Sequence, residues 1–415
     1  MDFRKEVKRE LVQDIVPFWS RLRDDVYGGY YGYMDYDLHV DPTYEKGCIL
    51  NSRILWFFSN AYLKMKEDKL LAEADHAYHF MKNYCEDKEN GGVFWSVTYD
   101  GRAADTTKHT YNQAFAIYAL SSYYEASGCE EALKFARELF HIVETRCRDE
   151  YGYLESFTRT WQPEDNVKLS ENGLLADKTM NTLLHLLEAY TELYRVAPSW
   201  EVGDALEKIM IIFRDKVYNP QTHRLEVFFD AQMNTISDLY SYGHDIEASW
   251  LLDRACDVLK DEQIKKDYIA RIVADTKAYT IQIAEEVYKE ALDGSKKEGT
   301  EVGLKSQDES GAGSAARVMN NECFKGQVDK TRVWWVQAEA MVGFYNCYQK
   351  TGDEKYRKIT EELWAYIKEY FIDPREGSEW FGELDPSGKP DRKSPIVEPW
   401  KCPYHNGRMC FILGE

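Results

Sequence analysis

Three of the nine histidines in this 415-residue chain stand in contexts suited to proton transfer. His185 lies in NTLLHLLEAY, one helical turn from Asn181 and surrounded by leucines. His244 lies in YGHDIEASW, and Glu247 three residues on can share its helical face, where a carboxylate would orient the imidazole and hold its tautomer. His405 lies in WKCPYHNGRMCF, between Pro403 and Gly407, which favour a turn. Taken singly, each has a purely structural reading, as a buried histidine satisfied by a neighbour. A metal site would need ligands at close spacing, such as HExxH, whereas these three lie 59 and 161 residues apart. Catalysis by the imidazoles, whose ordinary pKa lies near neutrality, is the favoured reading, and no metal is expected.

Other residues extend the pattern. Arg53 enters an apolar helix beside Trp56, where a guanidinium can either stabilise charge developing on a substrate oxygen or form a structural ion pair. Trp334 and Trp335 in RVWWVQAEAM, with Glu339 one turn after Trp335, and Trp400 before His405 offer flat faces for sugar rings; core packing is the alternative for any one of them. With 11 Trp and 30 Tyr in an acidic, hydrophilic chain, carbohydrate binding is favoured over a bare helical scaffold.

These residues need helices to carry them. Apolar residues recur at helical spacing, as in Leu55, Phe58 and Tyr62 or Leu183, Leu187 and Tyr190, without the alternation of strands. Similar segments start at Asn51, Asn112, Asn181, Glu247, Gln337 and His405, at intervals of 61, 69, 66, 90 and 68 residues. Each interval holds two helices and their loops, so six units predict an all-α fold, an (α/α)6 barrel forming one domain over 1–415. The three histidines fall where inner helices begin, so the ring can bring them together. Gly- and aromatic-rich loops such as YGGYYGYMD and ENGGVFWSV predict short β-hairpins at one rim. The long interval contains a Gly-, Ser- and charge-rich excursion at about 293–330, expected to be mobile, and readable as a loop insertion, a lid or an oligomer contact.

Bulk properties narrow the partners. A formal net charge of −20 argues against nucleic acid or an anionic membrane. The N-terminal stretch lacks the apolar core of a secretory signal and no later run reaches the roughly 20 apolar residues of a membrane span, so a cytoplasmic protein is expected. The nine cysteines show no CxxC and read as reduced, mostly buried thiols.

The motifs GHDIEASWLL, WWVQAEAM and EPWKCPYHNGRMC resemble those of the N-acylglucosamine 2-epimerase superfamily, in its branch that acts on β-linked disaccharides, from Asn51 to the C-terminus. The resemblance implies an (α/α)6 barrel that works without a cofactor on the reducing-end glucose or mannose; a monomer or weak homodimer is expected. It assigns catalytic roles to Arg53, His185, His244, Glu247 and His405, and sugar contacts to Tyr111, Asn181, Trp334, Trp335, Glu339 and Trp400. Opening of the sugar ring would make the C2 proton acidic, and a histidine would remove it to give an enediolate held by Arg53 and His185. His244 and His405 are the candidate proton stations. An aldose–ketose isomerase or N-acylhexosamine 2-epimerase on the same barrel is the alternative enzyme. A glycoside hydrolase using carboxylates such as Asp245 and Glu339, or a non-catalytic sugar-binding barrel, represents a different class.

Overall fold

Helices apolar on every side belong inside a protein, and those with one apolar stripe belong on its surface. This chain alternates the two kinds. The computed structural model describes residues 2–169, 174–259, 266–293 and 317–414, with backbone alone for 266–271. Its helices are α1 (Phe3–Glu10), α2 (Val16–Arg21), α3 (Cys48–Met65), α4 (Asp68–Phe80), α5 (Thr110–Ser127), α6 (Glu130–Ile142), α7 (Met180–Val196), α8 (Trp200–Ile212), α9 (Tyr242–Leu259), α10 (Lys266–Glu290), α11 (Trp334–Thr351), α12 (Glu354–Tyr366) and α13 (His405–Leu413).

Helices α3, α5, α7, α9, α11 and α13 each pack on the next, and α13 returns to α3, closing an inner ring. Every residue of α5 from Thr110 to Tyr123 is buried. The polar residues on such helices are satisfied locally: Ser52, Ser59 and Ser121 donate to the carbonyls of Cys48, Leu55 and Ile117 at 2.7–2.8 Å. The outer helices α4, α6, α8, α10 and α12 cover α3, α5, α7, α9 and α11, while α1 and the π turn Leu11–Ile15 cover α13. This is the (α/α)6 barrel expected from the repeat. The six similar segments all begin within the first two turns of inner helices.

Two glycines allow close packing near the histidines. A Cβ on Gly243 would lie 2.6 Å from the Trp335 ring, and one on Gly407 would lie 2.6 Å from Phe57. Both stand beside histidines singled out in the sequence.

The rim carries short antiparallel strands, mostly linking successive loops rather than closing local hairpins. Lys46–Gly47 pairs with Ser96–Val97, Lys108–His109 with Ser156–Phe157, Lys178–Thr179 with Phe228–Phe229, and Arg332–Val333 with Glu383–Leu384. Local hairpins do occur at Tyr218–Leu225 and Glu322–Asp329. The first three of these linking strands carry a fully buried lysine two residues before the inner helix. Its ammonium meets an aspartate of the loop behind: Lys46 on Asp24 at 2.6 Å, Lys108 on Asp87 at 3.0 Å, Lys178 on Asp149 at 2.7 Å. Arg332 meets Asp293 at 2.8 Å in the same way. These pairs pin the helix N-termini at the rim. Tyr240 takes this position before α9, and there the strand Leu239–Ser241 is instead backed by the hairpin Glu322–Asp329. That hairpin belongs to the excursion, as does Val318–Met319, which pairs with Leu292–Asp293; 294–316 lie outside the described residues.

Among the described residues no helix is long and apolar enough to cross a membrane. The cysteines are unbridged, and all but Cys129 and Cys323 are buried.

Candidate active site

The rim ends of the inner helices enclose a cavity of about 410 Å³. Nine of the eleven residues singled out in the sequence line it: Arg53 from α3, Tyr111 from α5, Asn181 and His185 from α7, His244 from α9, Trp334 and Trp335 from α11, His405 from α13, and Trp400 from the preceding loop. Glu247 and Glu339 do not. Both are fully buried beneath the floor.

The imidazoles are grouped by aromatic rings. Trp335 lies between two of them, with ring centres 4.7 Å from His244 and 5.3 Å from His405. His185 meets Tyr111 edge-on at 5.0 Å. Burial, the largest cause, pulls all three below the usual histidine range: His185 to about 4, His244 to about 3, and His405 well below, with Arg408 and Arg53 adding to the last. All three are therefore neutral at pH 7.

Each imidazole is held by its Nδ1 through a different partner. His405 Nδ1 lies 2.7 Å from Glu339 Oε1. His185 Nδ1 lies 3.2 Å from Glu188 Oε2. His244 Nδ1 lies 2.7 Å from the Ser241 hydroxyl. The expectation that Glu247 orients His244 is thus corrected. One turn along α9 its carboxylate points inward and accepts from Arg408, with Oε1 3.9 Å from His405 Nδ1. Glu339, expected to touch sugar, is the carboxylate behind His405, and also accepts from Trp250 Nε1 at 3.1 Å and Arg408 Nη2 at 2.7 Å.

Arg53 is buried, and among the described residues no carboxylate pairs with it. It donates to Tyr111 Oη at 2.8 Å and to the Trp400 carbonyl at 3.4 Å, and its guanidinium lies 4.1 Å from the centre of the Phe115 ring. Among the described residues neither its Nε nor Asn181 Oδ1 has a partner. A desolvated cation held by neutral groups is suited to an anion that forms in the cavity. Trp400 packs against Trp95 and Tyr111 at 5.9 and 5.8 Å, leaving its ring on the cavity wall.

Four residues were missed from sequence: Ser241, Arg408, and with them Glu188 and Tyr404, although Glu188 stands three residues after His185, the same spacing that drew attention to Glu247. Ser241 precedes α9 with nothing local to mark it. Arg408 follows His405 by three in the HNGR motif, and a basic residue inside an otherwise buried helix is the signal that could have found it. Its guanidinium bonds Glu188 and Tyr404 on one side and Glu247 and Glu339 on the other. Glu247, Glu339 and His405 offer donor atoms within 4.8 Å of one another, a grouping able to hold a cation, but Arg408 already stands on both carboxylates.

Burial pushes Glu188 up, yet Arg408 and His185 outweigh it and bring it down to about 2. Burial raises Glu247 and Glu339, which titrate as a pair. Three donors on Glu339 oppose that rise, whereas Glu247 Oε2 has no partner among the described residues. Asp245, the other carboxylate weighed for hydrolysis, does not line the cavity; it accepts from the Leu225 amide at 3.2 Å.

Comparison with known proteins agrees with this picture. The model of the family described as N-acylglucosamine 2-epimerase matches residues 29–406. A cellobiose 2-epimerase of Ruminococcus albus is 52% identical, covering 98% of this chain and 97% of its own. The crystal structure of a sugar epimerase from a ruminal bacterium superposes with a TM-score of 0.89 at 49% identity, over 99% of this chain and 97% of that one. The structure of a cellobiose 2-epimerase from Bacillus thermoamylovorans gives 0.88 at 43% identity, over 99% and 98%. With its fold, its grouped histidines and a family match spanning most of its length, the chain belongs to the N-acylglucosamine 2-epimerase family.

Proposed function

We propose that this chain is a cofactor-independent isomerase that inverts C2 of the reducing-end glucose or mannose of a β-linked disaccharide, as one catalytic unit. The observation that carries the reading is a cavity lined by three neutral imidazoles and an arginine that has no acidic partner among the described residues.

Proton removal at C2 requires the open-chain aldehyde, because only there is the carbon α to a carbonyl. His405 is the first proton station. Glu339 can only accept, so Nδ1 carries the proton and Nε2 is left bare toward the cavity. The enediolate oxygens fall to Arg53, with His185 beside it. His244 serves the opposite face. Trp335 and Trp400 stack on the sugar, Trp334 flanks His405, and Tyr111 and Asn181 orient its hydroxyls. Glu247 and Glu339 act through other residues rather than on sugar.

Proton NMR of cellobiose incubated with the protein and EDTA in deuterated water tests this. Glucosyl-mannose carrying deuterium at C2 is expected. Free glucose alone would mean hydrolysis, a ketose alone would mean protonation at C1, and no conversion of any β-linked disaccharide would sink the reading.

A further inference from the structure

We infer that Arg408 is a positioning residue shared by two of the three histidines: one guanidinium holds the carboxylate behind His185 with one nitrogen and the carboxylate behind His405 with the other. This deepens the reading of the site as an acid/base centre and rests on it.

The geometry is specific. Arg408 Nη1 donates to Glu188 Oε1, and the other oxygen of that carboxylate is the partner of His185 Nδ1 at 3.2 Å. Arg408 Nη2 donates to Glu339 Oε1 at 2.7 Å, the same oxygen that holds His405 Nδ1 at 2.7 Å. Tyr404 closes the frame, its hydroxyl donating to Glu188 while accepting from Nη1. The guanidinium lies over the Trp250 and Tyr404 rings at 4.7 and 4.3 Å, so the fork cannot swing away. His244, held by Ser241, has no link to it.

The physical consequence concerns charge. A carboxylate beside an imidazole ordinarily draws a proton onto it. A carboxylate whose charge is already answered by an arginine still accepts the Nδ1 proton and aligns the ring, but pulls less. Arg408 therefore lets Glu188 and Glu339 fix two tautomers without converting two bases into imidazolium ions. The other charged or titratable groups facing these rings are Arg53 from α3, Tyr111 from α5, Glu247 and His244 from α9, and Tyr404 beside α13.

The test is Arg408→Gln and Arg408→Lys in the full chain, read by nitrogen NMR of the histidine rings and by the pH profile of kcat/KM. With Arg408→Gln, the His185 and His405 rings should titrate at higher pH while His244 stays put. The acid limb of kcat/KM should move up by at least one pH unit, and activity at pH 7 should fall at least a hundredfold. Arg408→Lys, which keeps the charge but not the fork, should recover at least tenfold of that. Arg408→Gln/Glu247→Gln, in which one amide can bond the other in place of the guanidinium and carboxyl, is read the same way if the single variant does not fold. Unchanged His185 and His405 signals in a folded variant, or equal disturbance of all three histidines, would overturn the proposal. The ring titrations need no sugar, so failure of the epimerase reading and failure of this one remain distinguishable.

Discussion

His405 and His244 face one cavity across Trp335, yet they are held in opposite ways. His405 is tied to a buried carboxylate, which accepts hydrogen bonds and cannot give one. His244 is tied to a serine hydroxyl, which does both. The first imidazole is confined to one tautomer and the second is free to exchange between two. A reversible inversion at carbon needs proton stations on both faces, and the comparison teaches that they need not be built alike.

The largest effect should come from removing the confined base. His405→Asn should lower kcat/KM by roughly 10³–10⁴-fold, as loss of a general base does, measured as C2 conversion by NMR with thermal unfolding as the fold control. Glu339→Gln keeps the shape but offers an NH₂ where an acceptor stood. A wrong tautomer should cost roughly 10³-fold in kcat with little change in KM. If Glu339→Gln is nearly as active as the native chain, the contrast between the two stations is broken.

Ser241→Ala should cost only about tenfold, because a neutral hydrogen bond is worth about 1 kcal/mol and His244 does not depend on a charge. Ser241→Thr should restore most of it. Glu247→Gln should stay within about tenfold of the native kcat/KM, since burial favours the uncharged carboxyl there and an amide imitates it. A loss as deep as that of Glu339→Gln would mean that Glu247 works as an anion.

A separate effect lies in pH. His185 and His244 titrate near 4 and 3 in the folded chain, below the ordinary histidine value. The unfolded chain binds more protons between those values and about 6.5. Their contribution to stability is therefore complete above pH 6.5 and is lost progressively as pH falls toward 4 and 3. Melting temperatures should drop between pH 7 and pH 5, and less so in His185→Gln. The sign would be wrong if the protein became more stable on acidification in that window.

Much of the fold was legible because helical periodicity and repetition are local properties. Asn51, Asn112 and Asn181 mark inner helices whatever surrounds them, and the barrel follows from six such helices needing to bury every face. The site's membership was legible for the same reason: His185, His244 and His405 all stand in the first two turns of inner helices, so closing the ring brings them together. The fourth unit departs from the first three at Tyr240, where the pinning lysine is replaced and a hairpin from the excursion supports the strand that carries Ser241.

Pairing was another matter. The same spacing of three residues joins His185 to Glu188 at 3.2 Å but leaves His244 without Glu247. Helical spacing places two side chains on one face; it does not say which neighbour each will meet. Glu247 turns to Arg408, 161 residues away, and His405 to Glu339, 66 residues back, because these helices meet at the barrel centre. The sequence alone carried the helices, their number and the residue types of the centre. Only tertiary packing decided which carboxylate stands behind which imidazole, since a buried charge settles on the partner that the closed ring brings within reach.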